Sequence, residues 1–269
     1  MSETRPDDQR SLLHALGALR ASAPPDLTDR VCQRLGLPTE VDEFVLVDGP
    51  PVSLFVAFGP SGISHVLAAD LLDGDPERFE VRHRERFGRP VRPATKPPAG
   101  LVAALRSGQG RCLHYDLRGL SDFERAVLRK ALDIPPGELR PYAWVAREIG
   151  RPAAVRAVGS ALGRNPVPVL IPCHRVVRSD GQVGDYAFGA PMKRRLLEAE
   201  HVDVAGAQRL ARSGARFLGN GTTGIFCFPT CRHARRITAA HRVVFRSAAA
   251  ADEARFRPCA DCRPGERTG

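Results

Sequence analysis

The sequence predicts an α+β protein in three parts. These are an N-terminal small sheet with helices, a mainly helical middle domain with a helix-turn-helix, and a small C-terminal module stapled through cysteines. Three observations carry this. Residues 43–68 are apolar runs broken by Gly and Pro turns, the spacing becomes helical from Ser121, and four cysteines fall as two close pairs beyond residue 215. The expected boundaries are 1–118, 119–202, a linker over 203–214, and 215–269.

In chain order, "SLLHALGALRA" (11–21) has apolar positions at helical spacing, and "PPDLTDRVCQRLG" (24–36) reads as a second short helix after a Pro pair. "EFVLVDG" and "VSLFVAFGPSGISHVLAA" read as strands of an antiparallel hairpin. "GRPVRPATKPPAG" is expected as a loop, "LVAALRSG" as a helix and "RCLHYDLRG" as a strand. Cys32 and Cys112, in a helical and a strand pattern, are expected as small buried hydrophobes.

Ser121 with Glu124 three residues on is a capping box that opens a helix over "SDFERAVLRKALDI". "PYAWVAREIG" and "PAAVRAVGSALG" follow as two short amphipathic helices, with Gly150 capping the first and Pro152 opening the second. Two helices joined by a tight Gly-containing turn suggest a helix-turn-helix, and Arg147, Arg151, Arg156 and Arg164 decorate it. "PMKRRLLEAEH" closes the region as a further helix.

Charge is unevenly placed. Residues 1–90 carry a net −5 and residues 91–269 a net +15, giving +10 overall. The basic C-terminal two-thirds suits a polyanion such as nucleic acid. The start, "MSETRPDDQRSLL", has no basic region followed by an apolar run, and no apolar stretch approaches the ~18 residues of a membrane span. A cytoplasmic chain with no membrane partner is expected, its seven cysteines serving as thiols, metal ligands or catalytic groups.

"IPCHRVV" (171–177) places Cys173 beside His174. A thiol attacks as thiolate and needs a base to take its proton. Adjacency alone does not bring the two side chains together, so the box is open to two readings, a reactive nucleophile or a buried thiol.

The stretch "RPYAWVAREIGRPAAVRAVGSALGRNPVPVLIPCHRVVRSDGQVGDYAFG", followed by "KRRLLEAE", resembles the O6-alkylguanine-DNA alkyltransferases over roughly residues 121–200. The resemblance implies repair by irreversible transfer of an alkyl group from O6-alkylguanine, and from O4-alkylthymine, in double-stranded DNA to Cys173. Each molecule would act once, as a monomer and without an organic cofactor, in the bacterial cytosol or nucleoid. It further implies that His174 deprotonates Cys173 through a water, that Glu200 orients His174, and that Asn165 holds the active-site turn. Tyr142 would help the departing purine gain a proton, and Tyr186 would close the base pocket. Arg156 would enter the base stack, with Arg164 and Arg175 also on the DNA-binding side. An alkyl carbon inside a duplex is out of reach, so the base must leave the stack. Other readings are a non-catalytic sensor of alkylated DNA, whose relatives lack the acceptor cysteine, and a Cys–His hydrolase.

In the tail, Cys227 and Cys231 form a C-x3-C pair and Cys259 and Cys262 a C-x2-C pair, with 27 residues between the pairs. Four thiolates so spaced suit a tetrahedral Zn2+ site, and a tail of this size needs such a staple. "TTGIFCFPTC" through "FRPCADCRP" resembles the zinc-binding domain of the bacterial adaptive-response alkyltransferase. That resemblance implies zinc on all four cysteines and Cys227 as a second acceptor, taking methyl from a methylphosphotriester. Arg232, Arg235, Arg236 and Arg257 would face phosphates. The alternative is a zinc-stapled DNA-binding appendage without chemistry. Relatives commonly carry Arg after the first cysteine, where this chain has Phe228.

Overall fold

The computed structural model describes residues 40–180, 182–184 and 186–265, together with 30, 31, 34 and 35. The helix expected over 11–21 and Cys32 lie outside the described residues. Of the helix expected over 24–36, the four described residues are helical.

Strand β1 (Asp42–Val47) pairs antiparallel with β2 (Leu54–Gly59), which pairs antiparallel with β3 (Gly62–Ala68). A short strand, β4 (Val91–Pro93), lies parallel to β1 at the other side, giving the order β3-β2-β1-β4. Alternate residues of a strand face opposite ways. Phe55 and Ala57 therefore pack with Phe44 and with Phe79 of helix α1 (Pro76–Phe87), while Leu54 and Val56 enter the main core. Burial on both faces explains why this run is continuously apolar. Helix α1 starts where Asp75 accepts from Glu77 N (2.8 Å), with Pro at its first position, and stops at Gly88.

The sheet buttresses the middle domain directly. Val66 N donates to Pro166 O (2.9 Å), and Arg86 Nη2 donates to Arg164 O (2.9 Å). Gly62, at φ +112°, lets Ile63 N reach His114 O (2.9 Å); a Cβ there would meet His114 C at 2.6 Å.

Several expectations are corrected here. The loop over 88–100 contains β4. Residues 111–119 are not a strand; only Tyr115 bridges, to Ile63. Cys112 is exposed rather than buried, because it sits in a turn outside the sheet. Helix α2 (Leu101–Ser107) forms as expected.

Helix α3 (Asp122–Ala131) carries the capping box: Glu124 N donates to Ser121 Oγ (3.3 Å) and Ser121 N to Glu124 Oε2 (2.8 Å). Helices α4 (Tyr142–Glu148) and α5 (Val155–Gly163) form the helix-turn-helix against it. Gly150, at φ +70°, ends the first, with Arg151 N returning to Ala146 O (2.9 Å). Pro152 does not open the second; α5 begins at Val155, after a turn closed by Ala154 N on Arg151 O (2.9 Å). Two-residue strands β5 (Arg140–Pro141) and β6 (Val176–Val177) pair parallel, tying the start of α4 to the segment after Cys173. Helix α6 (Gly189–Ala199) closes the domain.

The stretch expected as a linker is helical: α7 (Val204–Arg212) is capped by Asp203, whose Oδ1 accepts from Gly206 N (2.7 Å). Beyond it, β7 (Phe217–Asn220), β8 (Ile225–Cys227), β9 (Arg242–Phe245) and β10 (Arg257–Pro258) form a sheet of order β10-β8-β7-β9, with α8 (Ala248–Glu253) alongside. No described helix is long and apolar enough to cross a membrane.

Candidate active site and metal centre

Cys173 opens a single 3-10 turn, Cys173–Arg175, and is buried with only 4% exposure. Asn165, just past the end of α5, donates from Nδ2 to Cys173 Sγ (3.1 Å) and to Ile171 O (3.0 Å), while its Oδ1 accepts from Val167 N (3.0 Å). One side chain thus ties both ends of the 165–171 loop to the thiol. Val169 within that loop sits at φ +73°, a conformation that costs a β-branched residue roughly 1–3 kcal/mol. Ile171 N on Val167 O (3.0 Å) and the Asn165 bonds hold it there.

His174 Nε2 lies 2.9 Å from Glu200 Oε1. Its Nδ1 is buried and meets no partner among the described residues. Burial lowers the His174 pKa below 6.5, against the opposing pull of Glu200, so the ring is a neutral base at pH 7. Burial pushes the Cys173 thiol up to about 11, outweighing the Asn165 hydrogen bond and the Lys193 charge. A resting thiol and a neutral imidazole oriented by Glu200, both on one 3-10 turn, are the groups that proton removal at the moment of attack needs. For Glu200, burial raises the carboxyl but the His174 and Arg175 hydrogen bonds outweigh it and hold it at about 2.

A cavity of about 870 Å³ opens over Cys173, lined by Tyr142, Arg156 and Gly159 on the helix-turn-helix side and by Gly184 and Tyr186 opposite. The Tyr142 ring fits between Gly159 and Gly184; a Cβ on Gly184 would meet Tyr142 Oη at 3.1 Å. The Tyr186 ring stands edge-on to His174 at 6.2 Å. Arg164 is exposed and pairs with Glu124 (2.7 Å).

Arg175 is placed otherwise than expected. It is 2% exposed, and its guanidinium donates to Glu200 Oε1 (2.6 Å), Ile134 O (2.7 Å) and Gly108 O (2.6 Å). Its guanidinium is spent inside the fold, where it braces Glu200. Lys193 is a site residue that sequence reasoning missed. Fully buried, its Nζ donates to Val176 O (2.7 Å) and lies 5.9 Å from the Tyr142 ring. The signal is there: Lys193 falls on the buried stripe of α6 with Met192, Leu196 and Leu197.

The sulfur atoms of Cys227, Cys231, Cys259 and Cys262 all lie within 4.8 Å of one another, and all four residues are buried. Sulfurs ~2.3 Å from one tetrahedral Zn2+ lie about 3.8 Å apart, so the cluster fits that ion. Phe226, Phe245 and Ala251 pack on the other side of the module sheet.

Residues 122–202 match the family model described as the DNA-binding domain of 6-O-methylguanine DNA methyltransferase, and residues 206–265 match the metal-binding domain of Ada. By these matches the chain joins a methyltransferase-like domain to an Ada-like metal module. Among relatives, a methylated-DNA–protein-cysteine methyltransferase of Mycobacterium tuberculosis is 48% identical over 88 residues, 33% of this chain and 53% of that protein. One from Methanosarcina barkeri is 48% identical over 80 residues, 30% and 51% of the two chains. The chain thus spans about half the length of these curated relatives. A crystal structure of Mycobacterium tuberculosis OGT in complex with DNA is 32% identical, with a TM-score of 0.48, covering 63% of this chain and 98% of that one.

The Ada-type module is seated on the methyltransferase domain. Leu139 N donates to Thr230 Oγ1 (2.8 Å), Arg232 N to Glu138 Oε1 (2.9 Å), and Arg263 pairs with Glu148 (2.8 Å). Phe228 lies under the buried Arg140 guanidinium, 5.3 Å from its ring centre, and Arg140 also faces Trp144 at 5.7 Å. The side chain after the first cysteine is therefore part of this seam. Pro141 is no obstacle to α4, since it occupies the extended N-cap position. Arg232 pairs with Asp261 (2.5 Å).

Proposed function

We propose that this protein repairs double-stranded DNA by taking the alkyl group of O6-alkylguanine, or of O4-alkylthymine, onto Cys173, once per molecule. The observation that carries the reading is the Cys173 thiol, held by Asn165 at 3.1 Å on the wall of a cavity that opens at α5. The match of residues 122–202 to a DNA-binding domain model supports DNA as the partner.

In this reading α5 lies against the duplex, Arg156 fills the place of the extruded base, and the base enters between Tyr142 and Tyr186. His174 takes the Cys173 proton, relayed through a water, as Glu200 balances the charge on the ring. The S–C bond forms while the C–O6 bond breaks, and guanine leaves with a proton that Tyr142 helps deliver. The product is a thioether, which no group at the site can reverse. No organic cofactor enters the step. The protein acts as a monomer in the cytosol.

When bound, zinc holds the four module cysteines as thiolates, which stay nucleophilic. Cys227 is the acceptor this module brings, for methyl on a neutral phosphotriester. One experiment covers both sites: labelled O6-methylguanine duplex and labelled methylphosphotriester duplex are each incubated with the protein and its Cys173→Ala variant. One label on Cys173, lost in the variant, is expected with the first. With the second, label on Cys227 is expected in both proteins. Transfer from O6-methylguanine that survives Cys173→Ala would sink the main claim. No label from the triester, with zinc retained, would leave the module structural.

A further inference from the structure

The cavity over Cys173 is not built by the methyltransferase domain alone. Arg216, in the Ada-type module at the entry to β7, lines it together with Arg156 and Arg178. Arg178, Ser179 and Arg216 also line the adjoining apolar crevice between the two domains, beside Trp144 and Phe228. They stand where the reaction cleft meets the seam.

Arg216 is held in place. Its backbone N donates to Phe245 O (2.8 Å) and its guanidinium to Ala211 O (3.2 Å), leaving the fork half-buried at the cavity edge. The Arg246 side chain runs past Gly214, within 3.5 Å of where a Cβ would stand. Arg178 pairs with Asp180 (3.0 Å), a carboxylate of the same cleft. Among the described residues, Arg216 pairs with no carboxylate. Among the described residues, three guanidinium groups thus line one cleft with one carboxylate, Asp180. A half-buried, anchored, unpaired guanidinium beside a cavity favours an anion, and its planar fork matches a phosphate.

We infer that the Ada-type module supplies the outer wall of the reaction cleft, where Arg216 holds a backbone phosphate of the strand whose nucleotide enters the cavity. The inference rests on the alkyl-transfer reading. A nucleotide that swings into this space carries a phosphodiester on each side, and neither can enter the apolar crevice. Arg216 meets one of them at the rim and so couples docking of the module to presentation of the base.

The full-length, zinc-loaded protein tests this with Arg216→Met, which keeps the apolar stem, and Arg216→Lys, which keeps the charge. Single-turnover transfer is measured from a duplex carrying one O6-methylguanine and from the free O6-methylguanine base, which has no phosphate. With Arg216→Met, the second-order rate on duplex is expected to fall about tenfold more than the rate on free base. The slope of log affinity against log salt should shrink by about 0.9, while Arg216→Lys keeps most of it. Equal losses on both substrates, or an unchanged salt slope, would overturn the assignment. Absence of transfer by the unsubstituted protein sinks the alkyl-transfer reading instead, and the salt slope on duplex then still decides Arg216.

Discussion

Glu200 faces two buried neighbours with opposite needs. Arg175 requires a counter-charge, and His174 requires orientation without permanent protonation. Glu200→Gln leaves the Arg175 charge buried and unbalanced, so a loss of about 3 kcal/mol in stability is expected, read from the urea midpoint. The stabilising effect of the ionised carboxyl is complete above its ordinary range near 4.5 and is lost as pH falls toward about 2. The variant should lack that acid loss. The rate of transfer carries a second readout. Because burial holds His174 below 6.5 and Glu200 pulls it back up, the acid limb of the rate profile should lie below pH 6.5. Glu200→Gln should move it lower still. A limb that stays put would separate Glu200 from the base. None of this pairing shows in "PCHR" itself, where Arg175 reads as a surface cation; only the fold reveals that its partners lie 25, 41 and 67 residues away.

At the scale of elements, helix α3 depends on its N-terminal cap. Ser121→Ala removes the acceptor for Glu124 N and should cost about 1 kcal/mol, seen as a lower urea midpoint with an unchanged slope. Arg164 also loses alignment there, since its partner Glu124 is the other half of the box. Such local chemistry is what sequence exposes best: the capping box, the hairpin and the Gly150 stop are settled within a few residues. Elements stabilised from elsewhere are harder to read. Strand β4 is three residues long and exists because β1 offers it an edge. Residues 111–119 look like a strand, yet their backbone spends its hydrogen bonds singly, on Ile63 and on turns. Helix α7 carries Gly206 in its first turn and reads as a linker, but Asp203 caps it, and Ala207 and Ala211 line the crevice at the domain seam. Helix α1 has a legible start at Asp75-Pro76, yet it buries only Phe79 and His83 among charged residues, so its apolar period is too sparse to mark it.

At the scale of the whole molecule, the metal module and the methyltransferase domain share one core, in which Cys227, Phe228 and Cys231 pack with Trp144 and Val145. Removing zinc with a chelator should therefore do more than loosen the tail. Amide exchange is expected to rise over 217–262 and also at Leu139, whose N–H is bonded to Thr230, while α3 stays protected. Exchange confined to the tail would show that the seam outlasts the metal. The seam has a further consequence under the proposed reaction on DNA. Two binding surfaces on a slack tether search for the second contact through a volume set by the tether, and the gain falls as it lengthens. Thr230 and Arg232, bonded to Leu139 and Glu138, replace that tether with a fixed separation. If both surfaces meet DNA, as the proposed function holds, the molecule acts as a ruler: duplex that suits one surface is already in register for the other, and a bend or kink that changes the spacing loses the joint contact.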